Sequence, residues 1–476
     1  MKLLTTLFLG LIVTLCSPEK NLLEQIQAEG ELRFATRPGW TTYVEGYPTP
    51  RGFEYELAKR FSEELGVTLK VTVAENTATL LPTVTEQQVH FAAAGLAIHH
   101  QRKLMLRFGP SYQKIQHQLI CRKSRNSPTS LADLPDKTPV YLLQNSNQAL
   151  QLSLWQQKYP HIQWEVLPNI TPFELMKQIG QKKRRYAILD STDVTYGKAF
   201  YPNLQVAFNL PQSQTLAWAF PRFTEDDSLY LAAIRFFSRL QRSGELKLLL
   251  ERYYGHLSDT YFDDIRIRDF HQHIQERLPL YRKYFEQVAT RYHMDWRFLA
   301  AMGYQESHWN PKAISRTGVK GIMMLTKMTA EELGIEDRED PFSSIEGGAR
   351  YLTNIKKRIS GKVAEPDKTW LALAAYNIGF GHLIDARKLT RHLRGNENQW
   401  IDVKKHLPLL TKPRWYRKTA YGYARGYEPV EFVQNIRQFY DILVYLDEQA
   451  TLVKSLSPME KHLTKIVLPS STFPNL

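Results

Sequence analysis

Residues 304–326 read YQESHWNPKAISRTGVKGIMMLT. This stretch begins at the end of an apolar helical pattern and runs into a turn rich in Pro, Ser, Thr and Gly. Just before it, Phe298, Leu299 and Met302 recur at spacings of three and four, which predicts one face of an α-helix. Glu306 follows Met302 by four residues, so its carboxyl is expected to continue the apolar face.

The environment predicted for Glu306 favours a protonated carboxyl. Asn310-Pro311 cannot continue the helix, so Glu306 lies in the last turn, at the negative end of the helix dipole. An apolar surround also disfavours the ionised form, and a carboxyl that keeps its proton near neutral pH can act as a general acid. A single helical Glu is more often a solvated surface residue. The prediction that Glu306 is catalytic therefore depends on the residues around it.

Three motifs occur in a fixed order along the second half of the chain. The first starts at Glu306-Ser307, the second is AYNIGFG at 375–381, and the third is FVQNI at 432–436. Together they resemble the signature of soluble-lytic-transglycosylase-like domains. The resemblance implies a mostly α, lysozyme-like domain over 273–448 that cleaves peptidoglycan glycan strands. The residues of the first motif are Glu306, Ser307, Pro311, Ala313, Ser315, Gly318, Gly321 and Met323.

The resemblance also implies roles for individual residues. Ser315 is expected to hold the acetamido group of a sugar, and Met323 to pack against a sugar. Each has a structural alternative, since a Ser in such a turn often caps the backbone and a Met is often a core residue. Further residues implied to line the substrate are Gly318, Gly321, Tyr376 and Asn377, of which Tyr376 could equally be a core aromatic residue.

The chain departs from the family pattern at two positions. Met324 stands where Gln is common, and Phe432 stands where a Tyr lies near the acid. Another tyrosine is therefore expected to supply that hydroxyl, and the sequence leaves the choice open. The candidates are Tyr440 and, within YGYARGY, Tyr421, Tyr423 and Tyr427.

The chemistry expected at Glu306 needs only one acid. Glycosidases usually employ two carboxyl groups, but the only nearby acids, Asp337, Glu339 and Asp340, lie in a polar loop and are expected to face water. The family's route, carried over by resemblance, lets the substrate's acetamido group assist and yields a 1,6-anhydromuramoyl end. Two alternatives stay open: a hydrolytic muramidase on the same fold, and a wall-fragment sensor whose second domain only binds glycan.

Residues 27–257 alternate short β-rich runs with helical patterns, which predicts an α/β architecture. Residues 52–66, for example, place Phe53, Leu57 and Phe61 on one helical face. The stretches GFEYELAKRFSEELGV at 52–67 and SGELKLLLERYYG at 243–255 resemble periplasmic solute-binding proteins of the amino-acid type. The resemblance implies a two-lobed domain that closes on a ligand.

In that family an Arg clamps the ligand carboxylate and a late acidic residue holds its amino group. Arg102 and Asp190 match these positions, although Arg102 could be a solvated base and Asp190 a helix cap. The chain reads IHHQR before Arg102, without the usual Thr, and Asn145-Ser146 replaces a usual Gly-Ser. The expected ligand is therefore a muropeptide or an amino-acid-like molecule, bound in a sensing or regulatory role.

No cofactor or metal is predicted. His99-His100 cannot share one helical or strand face, and no ligand cluster follows them. The chain holds 62 Lys and Arg against 48 Asp and Glu, a net charge of +14. This excess suits an anionic partner such as the acidic wall, although simple solubility explains it too. Nucleic acid is not expected, because no nucleic-acid motif accompanies the charge.

The N-terminus predicts export. Lys2 precedes an apolar run at 3–15 that is too short to span a bilayer and fits a secretory signal. Cys16 follows as a lipid-attachment cysteine would, but Leu15 stands where a small residue is usual, so lipidation, ordinary cleavage and an uncleaved anchor stay open. We expect a periplasmic protein attached peripherally to the outer membrane. The predicted organisation is a signal or anchor segment at 1–20, the α/β domain at 27–257, a linker at 258–272, the helical domain at 273–448 and a C-terminal extension at 449–476.

Overall fold

The computed structural model describes residues 20–45, 50–257 and 264–455. An α/β domain of two lobes comes first and a helical domain follows, as the sequence predicts. The elements of the α/β domain are α1 (Leu22–Glu29), β1 (Glu31–Thr36), α2 (Phe53–Leu65), β2 (Thr68–Val73), α3 (Thr77–Thr85), β3 (Phe91–Ala92), α4 (His100–Lys103), β4 (Leu106–Phe108), β5 (Gln113–Arg122), β6 (Pro139–Leu143), α5 (Leu152–Lys158), β7 (Gln163–Leu167), α6 (Pro172–Gly180), β8 (Tyr186–Asp190), α7 (Ser191–Phe200), β9 (Leu204–Leu216), β10 (Ala219–Pro221), α8 (Ser228–Ser243) and α9 (Glu245–Tyr254).

Each lobe contains a five-stranded sheet. The first sheet has the order β2-β1-β3-β10-β4 and the second β7-β6-β8-β5-β9. β1 is parallel to β2 and β3, whereas β10 returns antiparallel between β3 and β4. The chain passes from the first lobe to the second after β4 and returns after β9. At these two crossings the sheets of the two lobes meet, and the boundary between the lobes is called the seam.

The α/β elements follow the predicted pattern closely. α2 buries Phe53, Leu57 and Phe61 and ends at Gly66, whose φ of 73° is the left-handed conformation that suits glycine. The strand β3 is short and comprises only Phe91–Ala92. The chain turns away from the sheet there, because Gly95 has a φ of 65°.

The helical domain has one continuous apolar core. Tyr304, Trp309 and Trp400 are each fully buried in it. The elements of this domain are α10 (Asp264–Glu276), α11 (Leu278–Arg291), α12 (Trp296–Ser307), α13 (Lys327–Glu332), α14 (Pro341–Arg358), α15 (Asp367–Ile378), α16 (Phe380–His392), α17 (Trp400–His406), α18 (Pro413–Tyr416) and α19 (Glu428–Ser455).

The boundary predictions need correction. From Asp264 onwards the predicted linker at 258–272 is wrong, because that stretch forms α10. Ile267 and Phe270 of α10 are buried in the helical core, and the Phe270 ring lies 4.4 Å from the ring of Tyr304. The predicted extension from 449 is also wrong in its first residues, since α19 continues to Ser455. The predicted signal segment lies outside the described residues, apart from Lys20.

The helix α19 joins the two domains. Phe432 and Phe439 on this helix are buried in the helical core, whereas Arg437 points at α9 of the α/β domain. Nη2 of Arg437 donates to the carbonyl oxygens of Glu251 and Arg252, both at 2.9 Å. The buried core of the helical domain therefore extends into the first domain. Within the described residues, no helix combines the length and the apolar character needed to cross a bilayer.

Candidate active site and ligand cleft

The helix α12 carries Glu306 one residue before its end. The helix starts at Asp295, whose carboxylate accepts a hydrogen bond from the backbone N–H of Arg297 at 2.9 Å. At the other end, Oγ of Ser307 donates to the carbonyl oxygen of Ile322 at 2.8 Å. This bond ties the end of the helix to the glycine-rich turn and so fixes the carboxyl of Glu306 between the two.

The Glu306 side chain is half-buried, and burial raises its pKa to about 8. In the described part of the chain, no hydrogen bond or ion pair reaches this carboxyl, and no charged neighbour contributes to the pKa shift. A carboxyl in this state keeps its proton at neutral pH. It is thus suited to donate that proton and, once ionised, to take one back.

Tyr376 lies beside Glu306 on a second helix, α15. Its hydroxyl donates to the carbonyl oxygen of Met323 at 2.9 Å. Burial and then the nearby Glu306 carboxylate raise the pKa of the Tyr376 phenol far above its usual value. The Tyr376 ring stacks on Phe432 at 6.4 Å and meets the edge of Tyr351 at 5.1 Å. Tyr376 is therefore both a packed aromatic residue and a neighbour of the acid.

Tyr351 is a site residue that sequence reasoning missed. It lies on α14, where the apolar period singles out Ile345, Ala349 and Leu352 as inward-facing. Tyr351 lies next to that stripe and is only partly buried. Its contact with Tyr376 comes from the packing of α14 on α15, and no motif in the sequence signals it.

The turn after α12 is shaped by its own hydrogen bonds. Oγ of Ser315 accepts from the backbone N–H groups of Thr317 and Val319, each at 3.2 Å. Gly318 and Gly321 have φ values of 78° and 83°. A Cβ on Gly321 would overlap the carbonyl oxygen of Arg338, whereas one on Gly318 would meet open space. Ser315 thus caps the turn, which was the structural alternative for this residue.

The prediction that Met323 packs against a sugar is wrong for the side chain. Met323 is fully buried in the helical core. Its thioether fills the space left by two glycines, Gly303 and Gly348, where any added Cβ would crowd it. Only the carbonyl oxygen of Met323 reaches the site, as the acceptor for Tyr376. Met324, where the family often has Gln, adopts a φ of 48°.

The prediction that Tyr440 supplies a hydroxyl near the acid is also wrong. Its hydroxyl donates to the carboxylate of Asp295 at 2.8 Å. Asp295 precedes α12 and Glu306 nearly ends it, so about 16 Å of helix separates the two positions. Tyr440 instead fastens α19 to the start of α12.

Of the other tyrosine candidates, Tyr421 lies nearest to the second motif. Its ring covers Gly381 and lies 6.0 Å from the ring of His382, at the start of α16. Its backbone N–H donates to the buried carboxylate of Asp385 at 2.7 Å. Tyr423 packs on Tyr416 instead. Asn377, in the second motif itself, is exposed. The remaining tyrosine of the segment, Tyr427, is exposed.

The three acids of the polar loop have structural partners. Asp340 caps α14, and Glu339 pairs with Lys320 at 2.6 Å. Asp337 accepts from the backbone N–H of Glu339 at 2.8 Å. None of the three contributes to the pKa of Glu306. In the described part of the chain, no second acid therefore acts on the Glu306 carboxyl.

A cleft lies between the lobes of the α/β domain, with about 590 Å³ of empty space when the adjoining open solvent is included. Two buried acids, Asp190 and Asp193, and the base Arg37 are among its lining residues. Nη2 of Arg37 lies 3.6 Å from the Asp193 carboxylate. Burial raises the pKa of each acid to about 6. Other lining residues include Glu75, Asn76, Gln144, Ser146, Asn147, Gln148 and Thr171.

Arg102 is not a solvated base, nor does it line this cleft. It is buried, and its Nη2 donates to the carbonyl oxygen of Asn145 at 2.9 Å. Asp190 precedes α7 but makes no capping bond with its side chain. Sequence reasoning missed Arg37 and Asp193, because neither lies in the two stretches, 52–67 and 243–255, that carry the resemblance to solute-binding proteins.

Two family models match the chain. Bacterial extracellular solute-binding proteins, family 3, match residues 32–256, and the Transglycosylase SLT domain matches residues 283–399. The chain is 43% identical over 432 residues to the membrane-bound lytic murein transglycosylase F of Ectopseudomonas mendocina (strain ymp), covering 90% of this chain and 88% of the relative. It is 40% identical over 442 residues to the protein of that name from Saccharophagus degradans (strain 2-40 / ATCC 43961 / DSM 17024), covering 93% and 87%.

A bacterial solute-binding domain followed by a transglycosylase SLT domain defines a modular lytic transglycosylase. The chain belongs to the membrane-bound lytic murein transglycosylase F family.

Proposed function

We propose that this protein cleaves the β-1,4 bond between N-acetylmuramic acid and N-acetylglucosamine in peptidoglycan without adding water. Glu306 serves as the only acid and base, and the product carries a 1,6-anhydromuramoyl end. The observation that carries this proposal is the half-buried Glu306 carboxyl, whose pKa is raised to about 8 without any influence from a second acid. Among the described residues, no second carboxyl contributes to the Glu306 pKa, as a route with two protein carboxyl groups would require.

The reaction proceeds in two steps. Protonated Glu306 gives its proton to the glycosidic oxygen, and the acetamido group of the muramic acid stabilises the positive anomeric carbon. Glu306, now ionised, takes the proton of that sugar's C6 hydroxyl while the oxygen closes on the anomeric carbon. The proton lost in the first step is regained in the second, so Glu306 returns to its starting state.

The other site residues position the substrate. Tyr376 lies beside the acid, and Asn377 is exposed one residue further on. In the turn after α12, Gly318 faces open space without a side chain, which allows a sugar to approach the backbone closely.

The α/β domain binds a ligand in the cleft between its lobes and regulates the enzyme. The shared core supports this role, because Arg437 and the buried faces of α19 connect the solute-binding domain to α12 and α15. The ligand is an amino-acid-like molecule or a muropeptide. The protein works in the periplasm, attached peripherally to the outer membrane by its N-terminus.

The test is the digestion of purified peptidoglycan by the full chain, followed by mass spectrometry of the products. Anhydro ends, one water lighter than reducing ends, are expected with the wild type. Glu306→Gln should abolish both cleavage and anhydro products. Glu331→Gln is the matched control, since Glu331 is exposed and pairs only with Lys327. Reducing ends as the main product would establish hydrolysis instead, and cleavage by Glu306→Gln would remove Glu306 from the mechanism.

A further inference from the structure

The side chain of Asn147 lies at the seam between the two lobes and is almost fully buried. Its Oδ1 accepts from Nη1 of Arg102 at 2.6 Å and from the backbone N–H of Ala97 at 3.1 Å. Its Nδ2 donates to Oδ2 of Asp190 at 2.7 Å and to the carbonyl oxygen of Gly95 at 3.2 Å. Both hydrogens and both lone pairs of the carboxamide are therefore satisfied.

These four partners would bind a zwitterion equally well. A guanidinium and a backbone N–H on one side suit a carboxylate, and a carboxylate and a carbonyl oxygen on the other suit an ammonium group. An ammonium and a carboxylate attached to one carbon make up the head group of a free α-amino acid. The carboxamide of Asn147 presents an oxygen and an N–H donor at a similar separation, but it carries no charge.

The loop that carries Asn147 closes this position from both sides. The carbonyl oxygen of Asn145 accepts from Nη2 of Arg102 at 2.9 Å, and Asn145 holds a left-handed φ of 55° to reach it. On the other side, Nε2 of Gln148 donates to Oδ1 of Asp190 at 2.7 Å. Arg102 is consequently separated from the open cleft, whereas Arg37, Asp190 and Asp193 line it. Both oxygens of Asp190 already accept hydrogen bonds, from Asn147 and Gln148.

We propose that Asn147 fills the head-group position for an α-amino acid from within the chain and so keeps free α-amino acids away from Arg102 and Asp190. This inference rests on the proposed ligand-binding role of the cleft. It decides between the two candidate ligands, an amino-acid-like molecule and a muropeptide. The open part of the cleft is left to a fragment of the wall whose amino and carboxyl groups are already joined in amide bonds. Asn147 is thus the residue that sets the ligand class.

The test is to remove the carboxamide and offer small replacements to the full-length chain. Asn147→Gly removes four heavy atoms, and acetamide contains the same four. Glycine, as a free zwitterion, adds only one more. Binding is measured by isothermal titration calorimetry and by the shift of the thermal unfolding midpoint, both independent of wall cleavage. Failure of the binding inference therefore does not imply failure of the catalytic proposal.

We expect the wild type to bind neither glycine nor L-alanine, and Asn147→Gly to bind glycine with a Kd at least about tenfold below any wild-type value. Acetamide should raise the unfolding midpoint of Asn147→Gly alone. Asn203→Gly is the matched control, because the Asn203 amide donates to the carbonyl oxygen of Gly180 away from the seam. It should gain no affinity for either compound.

Two results would overturn the proposal. One is saturable binding of a free α-amino acid by the wild type that is lost in Arg102→Gln. The other is a folded Asn147→Gly chain that gains no glycine binding. If Asn147→Gly does not fold, Asn147→Ala keeps the Cβ and is put through the same titration with glycine, with the same two deciding outcomes.

Discussion

At the scale of single residues, Glu306 couples the proposed chemistry to stability. The folded chain holds the Glu306 proton up to a pKa of about 8, whereas the unfolded chain releases it near the usual value of 4.5. Between these values the folded state binds more protons, so Glu306 lowers the stability of the fold as the pH rises from about 4.5 to 8. Above pH 8 the loss is complete and constant.

Glu306→Gln should therefore be more stable than the wild type, and increasingly so across this pH window. Partial exposure limits the gain to ~1–3 kcal/mol. Urea unfolding at a series of pH values measures the difference between the two chains, in which the contributions of the other buried acids cancel. A difference that stays flat from pH 4.5 to 8 would contradict the raised pKa.

The activity should fall at high pH for the same reason. Since only the protonated acid can start the reaction, kcat/KM of the wild type is expected to drop about tenfold per pH unit above a pKa near 8. This fall in activity at alkaline pH is measured as the rate of release of anhydro products from soluble glycan strands. An alkaline limb with a midpoint below pH 6 would indicate an acid in an ordinary solvated environment.

Sequence patterns predict the positions of residues that depend on their neighbours along the chain. They do not predict positions that depend on how separate helices pack. The position of Glu306 in the last turn of a helix is predictable, because helical spacing and a helix that ends before a Pro are local patterns. Tyr440 was misplaced because its distance from Glu306 depends on how α19 lies along α12. The burial of the Met323 side chain is not predictable from local patterns, because it depends on two glycines, Gly303 and Gly348, on different helices.

At the scale of elements, the turn after α12 gives a matched pair of glycines. Both have positive φ, but only a Cβ on Gly321 would overlap the carbonyl oxygen of Arg338. Gly318→Ala should cost about 1 kcal/mol from backbone strain alone, and Gly321→Ala about 3 kcal/mol or more together with most wall cleavage. Thermal unfolding and product release measure both effects. Equal losses for the two variants would show that the overlap does not matter.

The element that the sequence missed is α10. Its residues are mostly polar, and only Ile267 and Phe270 are seen to be fully buried. Two inward side chains on a polar background give too weak a period to distinguish a helix from a linker. The longer helices of the second domain, such as α14 and α15, carry a buried residue in almost every turn and were predicted within a few residues.

At the scale of the whole molecule, Arg437 holds the two domains together. It bonds two backbone carbonyls of α9, lies 3.5 Å from the Glu251 carboxylate and stacks over Trp370 at 4.0 Å. Arg437→Met leaves those carbonyls without a donor, and we expect a loss of about 3–5 kcal/mol. Calorimetry should then resolve two unfolding transitions where the wild type has one.

Arg425→Met is the matched control for this prediction. Arg425 is exposed and pairs with Glu428 at 2.9 Å, an ion pair that solvent screens strongly. It should leave the calorimetric profile unchanged. A single unaltered transition in Arg437→Met would mean that the other contacts between the domains suffice to join them, such as Tyr445 against Phe200 at 4.5 Å and Lys404 with Glu251 at 2.6 Å.

The burial of Phe270 has a practical consequence for expression of the catalytic half by itself. A recombinant fragment that starts at residue 273 lacks this ring, which lies 4.4 Å from the rings of both Tyr304 and Phe439. The gap would open directly beneath the helix that carries the acid. A fragment begun at Asp264 is nine codons longer, and it retains the Phe270 ring that fills this gap.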